Sequence, residues 1–307
     1  MAQLVTIFGG SGFVGRYIAR RMALRGWRVR VAVRSVAKAQ FFERSEFAGQ
    51  IEIVPCTILE DSPVSRALEG ADAVVNCVGI LAENGNNKFD AIQTEGADRI
   101  ARLAASQGIT NMVQLSAIGA DPQGQSSYSK TKAAGEIAVM DHIPTAVILR
   151  PSIVFGPEDE FFNRFADMTR FSPFVPVVSP KTKFQPVYVD DVAKAAEAAL
   201  LGQAQPGIYE LGGPQVASFK ALMHRMLDVL GKRRLVLGLP LTIGKLMGSA
   251  GETVNAFTLG IVPTPITMDQ ARSLATDNVA SGHYPGLDAL GITPTPLDQV
   301  LPTYLGK

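Results

Sequence analysis

The sequence predicts an α/β fold: a Rossmann-type, doubly wound parallel sheet followed by a smaller, loop-rich C-terminal region. Three observations predict it. Short β-branched runs alternate with helical patterns as far as Arg150, the signature of βαβ units. A glycine-rich turn follows the first run and opens the first helical pattern. Beyond Arg150, prolines at 151, 157, 173, 176, 180 and 186 break the alternation. The boundaries expected are 1–150 for the sheet domain and 151–307 for a cap or docking region, with 186–201 packing back onto the first.

The strands expected are Leu4–Phe8, Arg28–Val33, Ile51–Pro55, Ala73–Val78, Met112–Ser116 and Ala146–Leu149. They are near-continuous apolar runs, as strands buried on both faces must be. Helical patterns with polar outer positions lie between them, at Gly15–Arg25, Val64–Glu69, Asp98–Gln107 and Ser129–Met140. Further on, the strand Pro186–Val189 runs into the helix Val192–Leu201, and Phe219–Leu230 forms another helix. Asp190-Asp191 directly precede a helix and read as its cap. Glu158-Asp159-Glu160 reads as a solvated loop, and Asn84-Gly85-Asn86-Asn87 as a flexible turn.

Composition narrows the function classes. A formal net charge of +1 gives no field to attract nucleic acid, and none is expected as a partner. No apolar run approaches the roughly 20 residues needed to span a bilayer. Cys56 and Cys77 fall on strands separated by two others, beyond disulfide reach, and read as buried thiols in a reducing compartment. His142, His224 and His283 have no metal-ligand spacing, so no metal is expected. Residues 235–268 carry only Lys245 and Glu252 as charges and follow Lys232-Arg233-Arg234. That stretch is either an internal cap or a surface for a partner or membrane.

The turn Gly9-Gly10-Ser11-Gly12-Phe13-Val14-Gly15 joins a strand to a helix, the context in which free N–H groups cradle a pyrophosphate. Gly9 permits the tight turn, Gly12 the close approach of backbone to phosphate, and Gly15 the packing of helix on strand. Ser11, Phe13 and Val14 complete the cradle. The second strand ends in Arg34, with no acid from Gly26 to Gln40. An acid there would hold a ribose 2′-hydroxyl, whereas a guanidinium grips a 2′-phosphate. NADP(H) is therefore expected over NAD(H), with Arg16 assisting; the alternative is a plain surface arginine.

Tyr128 and Lys132 form a YxxxK pair one helical turn apart, hence on one face. An ammonium beside the phenol is expected to lower its pKa and make it an acid/base. With Gly9–Gly15, Asn76-Cys77-Val78-Gly79, Tyr128…Lys132 and Arg150-Pro151-Ser152 into Phe155-Gly156, in that order, the chain resembles the extended or atypical short-chain dehydrogenase/reductases. By that resemblance Gly79 flanks the adenine ribose and Pro151-Ser152 the nicotinamide, with Val78 also in the cofactor site. Two positions depart from the pattern. Thr57 stands where an acid near the adenine is usual. Ala117 and Ile118 stand where a substrate-orienting serine is expected, so either Ser116 takes part or the triad is incomplete.

A narrower resemblance spans nearly the whole chain. Phe8–Tyr17, Phe155–Asp159 with Phe162–Ala166, Gln185–Val192, and Pro285-Gly286-Leu287 through Leu290-Gly291-Ile292 to Thr295-Pro296-Leu297 resemble the nucleotide-binding accessory subunit of respiratory complex I, NADH:ubiquinone oxidoreductase. It implies a tightly held, structural NADP(H), other subunits of a respiratory membrane complex as partners, and 232–268 as a docking or membrane-surface region. The start Met1-Ala2-Gln3, with no transit-like segment, leads to the expectation of a bacterial version, peripheral on the cytoplasmic face of the inner membrane. Two alternatives remain open. One is a soluble NADP-dependent reductase or sugar-nucleotide epimerase/dehydratase using Tyr128, Lys132 and Ser116. The other is an NADP(H)-sensing regulatory protein.

Overall fold

The computed structural model describes residues 2–243 and 267–306. Its long strands are β1 (Leu4–Phe8), β2 (Arg28–Val33), β3 (Ile51–Pro55), β4 (Ala73–Asn76), β5 (Asn111–Leu115) and β6 (Val147–Pro151). After them come β7 (Val154–Phe155), β8 (Phe174–Val178), β9 (Lys183–Phe184), β10 (Val187–Tyr188), β11 (Gly207–Leu211), β12 (Ala217–Ser218) and β13 (Leu235–Leu239). Seven form one sheet in the order β11-β6-β5-β4-β1-β2-β3, every neighbouring pair parallel. This is the Rossmann-type class that the sequence predicts. The seventh strand, β11, was not expected. It comes from well beyond Arg150, and Glu210 interrupts what would otherwise read as an apolar run.

The strands divide their side chains between two helical layers, as a period of two requires. Val5, Ile7, Val29, Val31, Val75, Val113 and Leu149 join the core under α1 (Phe13–Leu24). Phe8, Ala32, Val74, Met112 and Ile148 join the opposite core, under α2 (Asp61–Leu68), α3 (Glu95–Ser106) and α4 (Ser127–His142). Thr6, fully buried in the central strand, is tolerated because its hydroxyl donates to the Ala67 carbonyl at 2.7 Å. β4 stops at Asn76 rather than running to Val78. There the Asn76 side chain accepts from the Val78 N–H at 3.0 Å and turns the chain out of the sheet.

The remaining α-helices among the described residues are α5 (Phe162–Phe171), α6 (Val189–Leu200), α7 (Phe219–Val229), α8 (Met268–Ser273) and α9 (Leu297–Leu305). α6 completes the layer over α1. Arg21 on α1 grips Asp190 with two bonds, at 2.8 and 2.6 Å, and Glu197 at 2.9 Å. Asp190 and Asp191 therefore do not cap α6. The fully buried Asp191 accepts from the backbone N–H of Thr295 at 2.6 Å and pairs with Lys194 at 2.7 Å, tying the C-terminal segment to the sheet. α5, α7 and α9 enclose a third core around Phe155, Phe162, Phe219, Met223 and Leu301.

Candidate functional site

In this sheet order the chain leaves β1 toward β2 on one side and returns as β4 on the other. The loops after β1 and β4 therefore part, opening a crevice at the carboxyl ends of the strands, where ligands of such sheets bind. Residues 9–15 line its floor. Gly9 has φ +73°, a conformation that a side chain resists, and the Gly12 N–H donates to its carbonyl at 2.9 Å. A Cβ at Gly15 would lie 2.5 Å from the Gly9 carbonyl oxygen and 2.7 Å from the Gly10 Cα, so only glycine lets α1 sit against the turn. No side chain caps α1 at Gly12. Among the described residues no side chain bonds the first N–H groups, those of a helix start that favours negative charge.

Along one rim, Arg34 follows β2 and donates to the Asn87 side-chain oxygen at 2.6 Å. It makes no ion pair among the described residues, so its charge is not neutralised by a carboxylate. Arg16 is differently placed. Its guanidinium donates to the Ser11 carbonyl at 3.2 Å, pairs with Glu158 at 3.4 Å and lies over the Phe41 ring. It therefore fastens the glycine turn to Glu158 and to the segment after β2 that carries Phe41. The Thr57 hydroxyl accepts from the Leu59 N–H at 3.3 Å, closing a turn after β3.

The other arm carries Val78, Gly79, Ser116, Tyr128, Lys132 and Pro151. A Cβ at Gly79 would lie 3.2 Å from the Lys132 ammonium, which donates to the Leu115 carbonyl at 3.2 Å. Burial pushes Lys132 down to about 8, against the opposing pull of Glu136. The Lys132 nitrogen is 6.0 Å from the centre of the Tyr128 ring. The expected lowering of the Tyr128 pKa is not found: burial pushes the phenol up to about 12, with no hydrogen bond or close charge among the described residues to favour phenolate. The Ser116 hydroxyl is buried with no partner among the described residues. A buried hydroxyl in that state fits a ligand polar group lying beside it. Pro151 ends β6, and next to it the buried Arg150 pairs with Glu136 on α4 at 2.8 and 2.5 Å.

Bonded to this arm is a segment that sequence reasoning missed. Asp269 accepts from the backbone N–H groups of Ser127 at 2.7 Å and Tyr128 at 3.1 Å. Gln270 donates to the Leu81 carbonyl at 3.1 Å, and Asn278 to the Ile118 carbonyl at 3.1 Å. The Ser152 hydroxyl donates to Asn278 in turn. The sole sequence signal was Thr267…Gln270, which forms a capping box at the start of α8. Glu158-Asp159-Glu160 also differs from expectation. Asp159 is buried, accepting from the N–H groups of Phe162 and Asn163 at the start of α5 and from the Tyr304 hydroxyl at 2.6 Å.

The sequence profile of the NAD dependent epimerase/dehydratase family matches residues 5–212, from β1 through β11. The chain belongs to the NAD dependent epimerase/dehydratase family. This member is 31% identical over 302 residues, 95% of its length and 74% of the relative's, to NADH dehydrogenase (ubiquinone) 1 alpha subcomplex subunit 9, mitochondrial, of Arabidopsis thaliana. The resemblance to the complex I subunit family therefore stands. It is also 28% identical over 266 residues, 84% of this chain and 82% of that one, to ceramide reductase of Caulobacter vibrioides. Among solved structures, the Bordetella bronchiseptica enzyme WbmH in complex with NAD+ superimposes with a TM-score of 0.71 at 17% identity, covering 99% of this chain and 97% of the other, which is a likeness of fold. As a family member, the chain has the fold and crevice of a nicotinamide-nucleotide site.

Proposed function

We propose that this chain is an NADP(H)-binding accessory subunit of a respiratory complex of the NADH:quinone oxidoreductase type, holding its nucleotide as a structural element. The observation that carries the reading is the contrast between the two sides of the crevice. Among the described residues, none of the C-terminal segment bonds the cradle of Gly9, Ser11, Gly12, Phe13, Val14 and Gly15, whereas the face beside Tyr128 is bridged by the chain's own Asp269 and Asn278. Similarity to subunit 9 along 95% of the chain supports the same reading.

In this reading the N–H groups at the start of α1 hold the pyrophosphate, and Arg34 takes the 2′-phosphate. Val78, Gly79 and Thr57 border the adenosine half. Lys132, Tyr128, Ser116 and Pro151 border the nicotinamide half. The nucleotide supplies hydride chemistry when bound, but here its contribution is to stabilise the domain by mass action, by about 4 kcal/mol at a thousandfold excess over its dissociation constant.

The docking surface lies in the C-terminal region. β8 and β13 pair in parallel, with Val175, Val177 and Val236 turned into the third core. Phe174, Leu235 and Leu237 are exposed on the ribbon, near Phe171, which is 93% exposed at the end of α5. The ribbon is thus apolar on both faces. Lys232-Arg233-Arg234 lead into it, Lys232 bonding the Thr169 hydroxyl of α5 at 3.0 Å. This suits a partner subunit at the surface of an anionic membrane, on the cytoplasmic face in a bacterium. No helix among the described residues is long and apolar enough to cross a membrane. Residues 244–266, the rest of the expected docking stretch, lie outside the described residues.

The test is gentle detergent extraction of native membranes, size separation, and detection of this chain beside NADH:quinone reductase activity. Co-migration is the expected result; a small soluble species overturns the subunit reading. A second reading, an NADP-dependent reductase, is favoured by the unpartnered Ser116 hydroxyl near Tyr128 and Lys132. It requires substrate-dependent oxidation of bound NADPH.

A further inference from the structure

We propose that residues 267–281 couple occupancy of the nucleotide site to the C-terminal region, with Asp269 as the positioning residue that holds Tyr128 at the crevice. The inference rests on the nucleotide-binding reading above and adds a mechanism to it. This short stretch is fastened to each loop that leaves the sheet around the nicotinamide end of the crevice. Gln270 bonds Leu81 in the loop after β4, and Asn278 bonds Ile118 in the loop after β5. Asp269 holds the first turn of α4 through the Ser127 and Tyr128 N–H groups, and Ser152, just past β6, donates to Asn278. The Ser281 N–H donates to Glu210 of β11 at 2.5 Å, and the Ala280 N–H to the Gln185 side chain at 3.0 Å.

Apolar burial does little of this work. In α8 only Ala271 is buried. The segment is held by polar bonds to loop carbonyls and N–H groups, whose geometry depends on how those loops are set. A dinucleotide in the crevice fixes the same loops from the other side, through Gly79, Ser116 and Tyr128. Each ligand of a shared element stabilises the other by the same factor, because linkage is reciprocal. Nucleotide binding therefore tightens the segment, and the segment tightens the nucleotide. Asp269 touches Tyr128 through its backbone N–H, so its influence on the nucleotide passes through the placement of Tyr128.

The experiment uses the full chain. A fluorescence titration reads NADPH affinity, and hydrogen exchange of residues 267–281 is followed with and without saturating NADPH. NADPH is expected to slow exchange there roughly fivefold or more. Asp269→Ala is expected to weaken NADPH by a similar factor and to abolish the nucleotide-dependent protection, with Asp269→Asn between the two. A role confined to capping α4 would change stability but leave the nucleotide-dependent difference in place. NADPH binding to the wild-type chain with unchanged exchange in 267–281 overturns the coupling alone. Absence of NADPH binding overturns the nucleotide reading and the coupling with it. If Asp269→Ala does not fold, the wild-type exchange still decides, and Gln270→Ala, which removes one tie to Leu81, gives the variant arm.

Discussion

The turn at 9–15 and the segment at 267–281, which is tied to the loops after β4 and β5, are built on opposite principles. The turn is fixed by sterics between near neighbours: the Gly12 N–H meets the Gly9 carbonyl, and the absent Cβ of Gly15 admits Gly9 and Gly10. The segment is fixed by side chains reaching backbone groups far away in sequence, Asp269 to Ser127 across 142 positions and Asn278 to Ile118 across 160. Local sterics tolerate no substitution but need no partner. Distant polar ties tolerate substitution individually and depend on everything between. The first device makes a rigid cradle, and the second can respond to what the cradle holds.

The largest expected effect comes where α4, which carries Tyr128 and Lys132, is held to the sheet. Arg150 at the end of β6 pairs with Glu136 on α4, both nearly fully buried. Arg150→Met leaves the Glu136 carboxylate buried without its cation and is expected to cost about 3–5 kcal/mol in urea unfolding. Replacing both residues with apolar ones should recover most of that loss. A single variant as stable as the wild type would mean the pair does not hold α4 to the sheet.

The cradle is tested next at its outer rim. Arg34→Asp exchanges a guanidinium for a repelling carboxylate and is expected to weaken NADPH by about 1.5–3 kcal/mol, relative to NADH. Equal effects on the two nucleotides in parallel titrations would remove the basis for preferring the phosphorylated one. At the floor, Gly15→Ala places a methyl group against Gly9 and Gly10. It is expected to cost about 1–3 kcal/mol of thermal stability and to abolish NADPH binding. Normal binding by that variant would break the comparison, since the cradle would then not be steric.

What the sequence disclosed follows the same division. Apolar runs such as Leu4–Phe8 and Arg28–Val33, and the glycine spacing between them, are local patterns, and their strands and turn lie where they were expected. Tyr128 and Lys132 share a helix face because their spacing is local too. β11 escaped because Glu210, which bonds the Ser281 N–H, looks polar until its partner from another region is known. Asp159 looked solvated for the same reason: its partners Gly156, Phe162 and Tyr304 form a buried cap only when α5 and α9 meet. Asp269 and Asn278 carried no spacing at all, and the Thr267…Gln270 spacing signalled only a helix start.

A smaller effect sharpens the electrostatics of the crevice. Burial pushes Lys132 down to about 8, while in the unfolded chain it titrates near its ordinary value of about 10.4. Below about pH 8 both states are protonated and the penalty is constant. Above it the folded chain releases the proton first, so the penalty is relieved and stability rises with pH, by up to about 1.4 kcal/mol per unit. The difference between wild type and Lys132→Met in nucleotide-free protein should grow in that direction from pH 8 to 9.5. A flat difference would mean the ammonium is not desolvated.

The smallest structural effect separates the two readings of function most cleanly. Tyr128→Phe removes one hydroxyl that makes no hydrogen bond among the described residues, while leaving the edge-on contact of the ring with Phe89. Stability is expected to change by less than about 0.5 kcal/mol. As a structural holder of nucleotide, the variant should bind NADPH and co-migrate with the respiratory complex as the wild type does. As a reductase it should bind NADPH and lose turnover, because the phenol is the group placed to exchange a proton with substrate. Assembly measured beside NADPH oxidation therefore tells whether the segment facing Tyr128 guards a reaction or has replaced one.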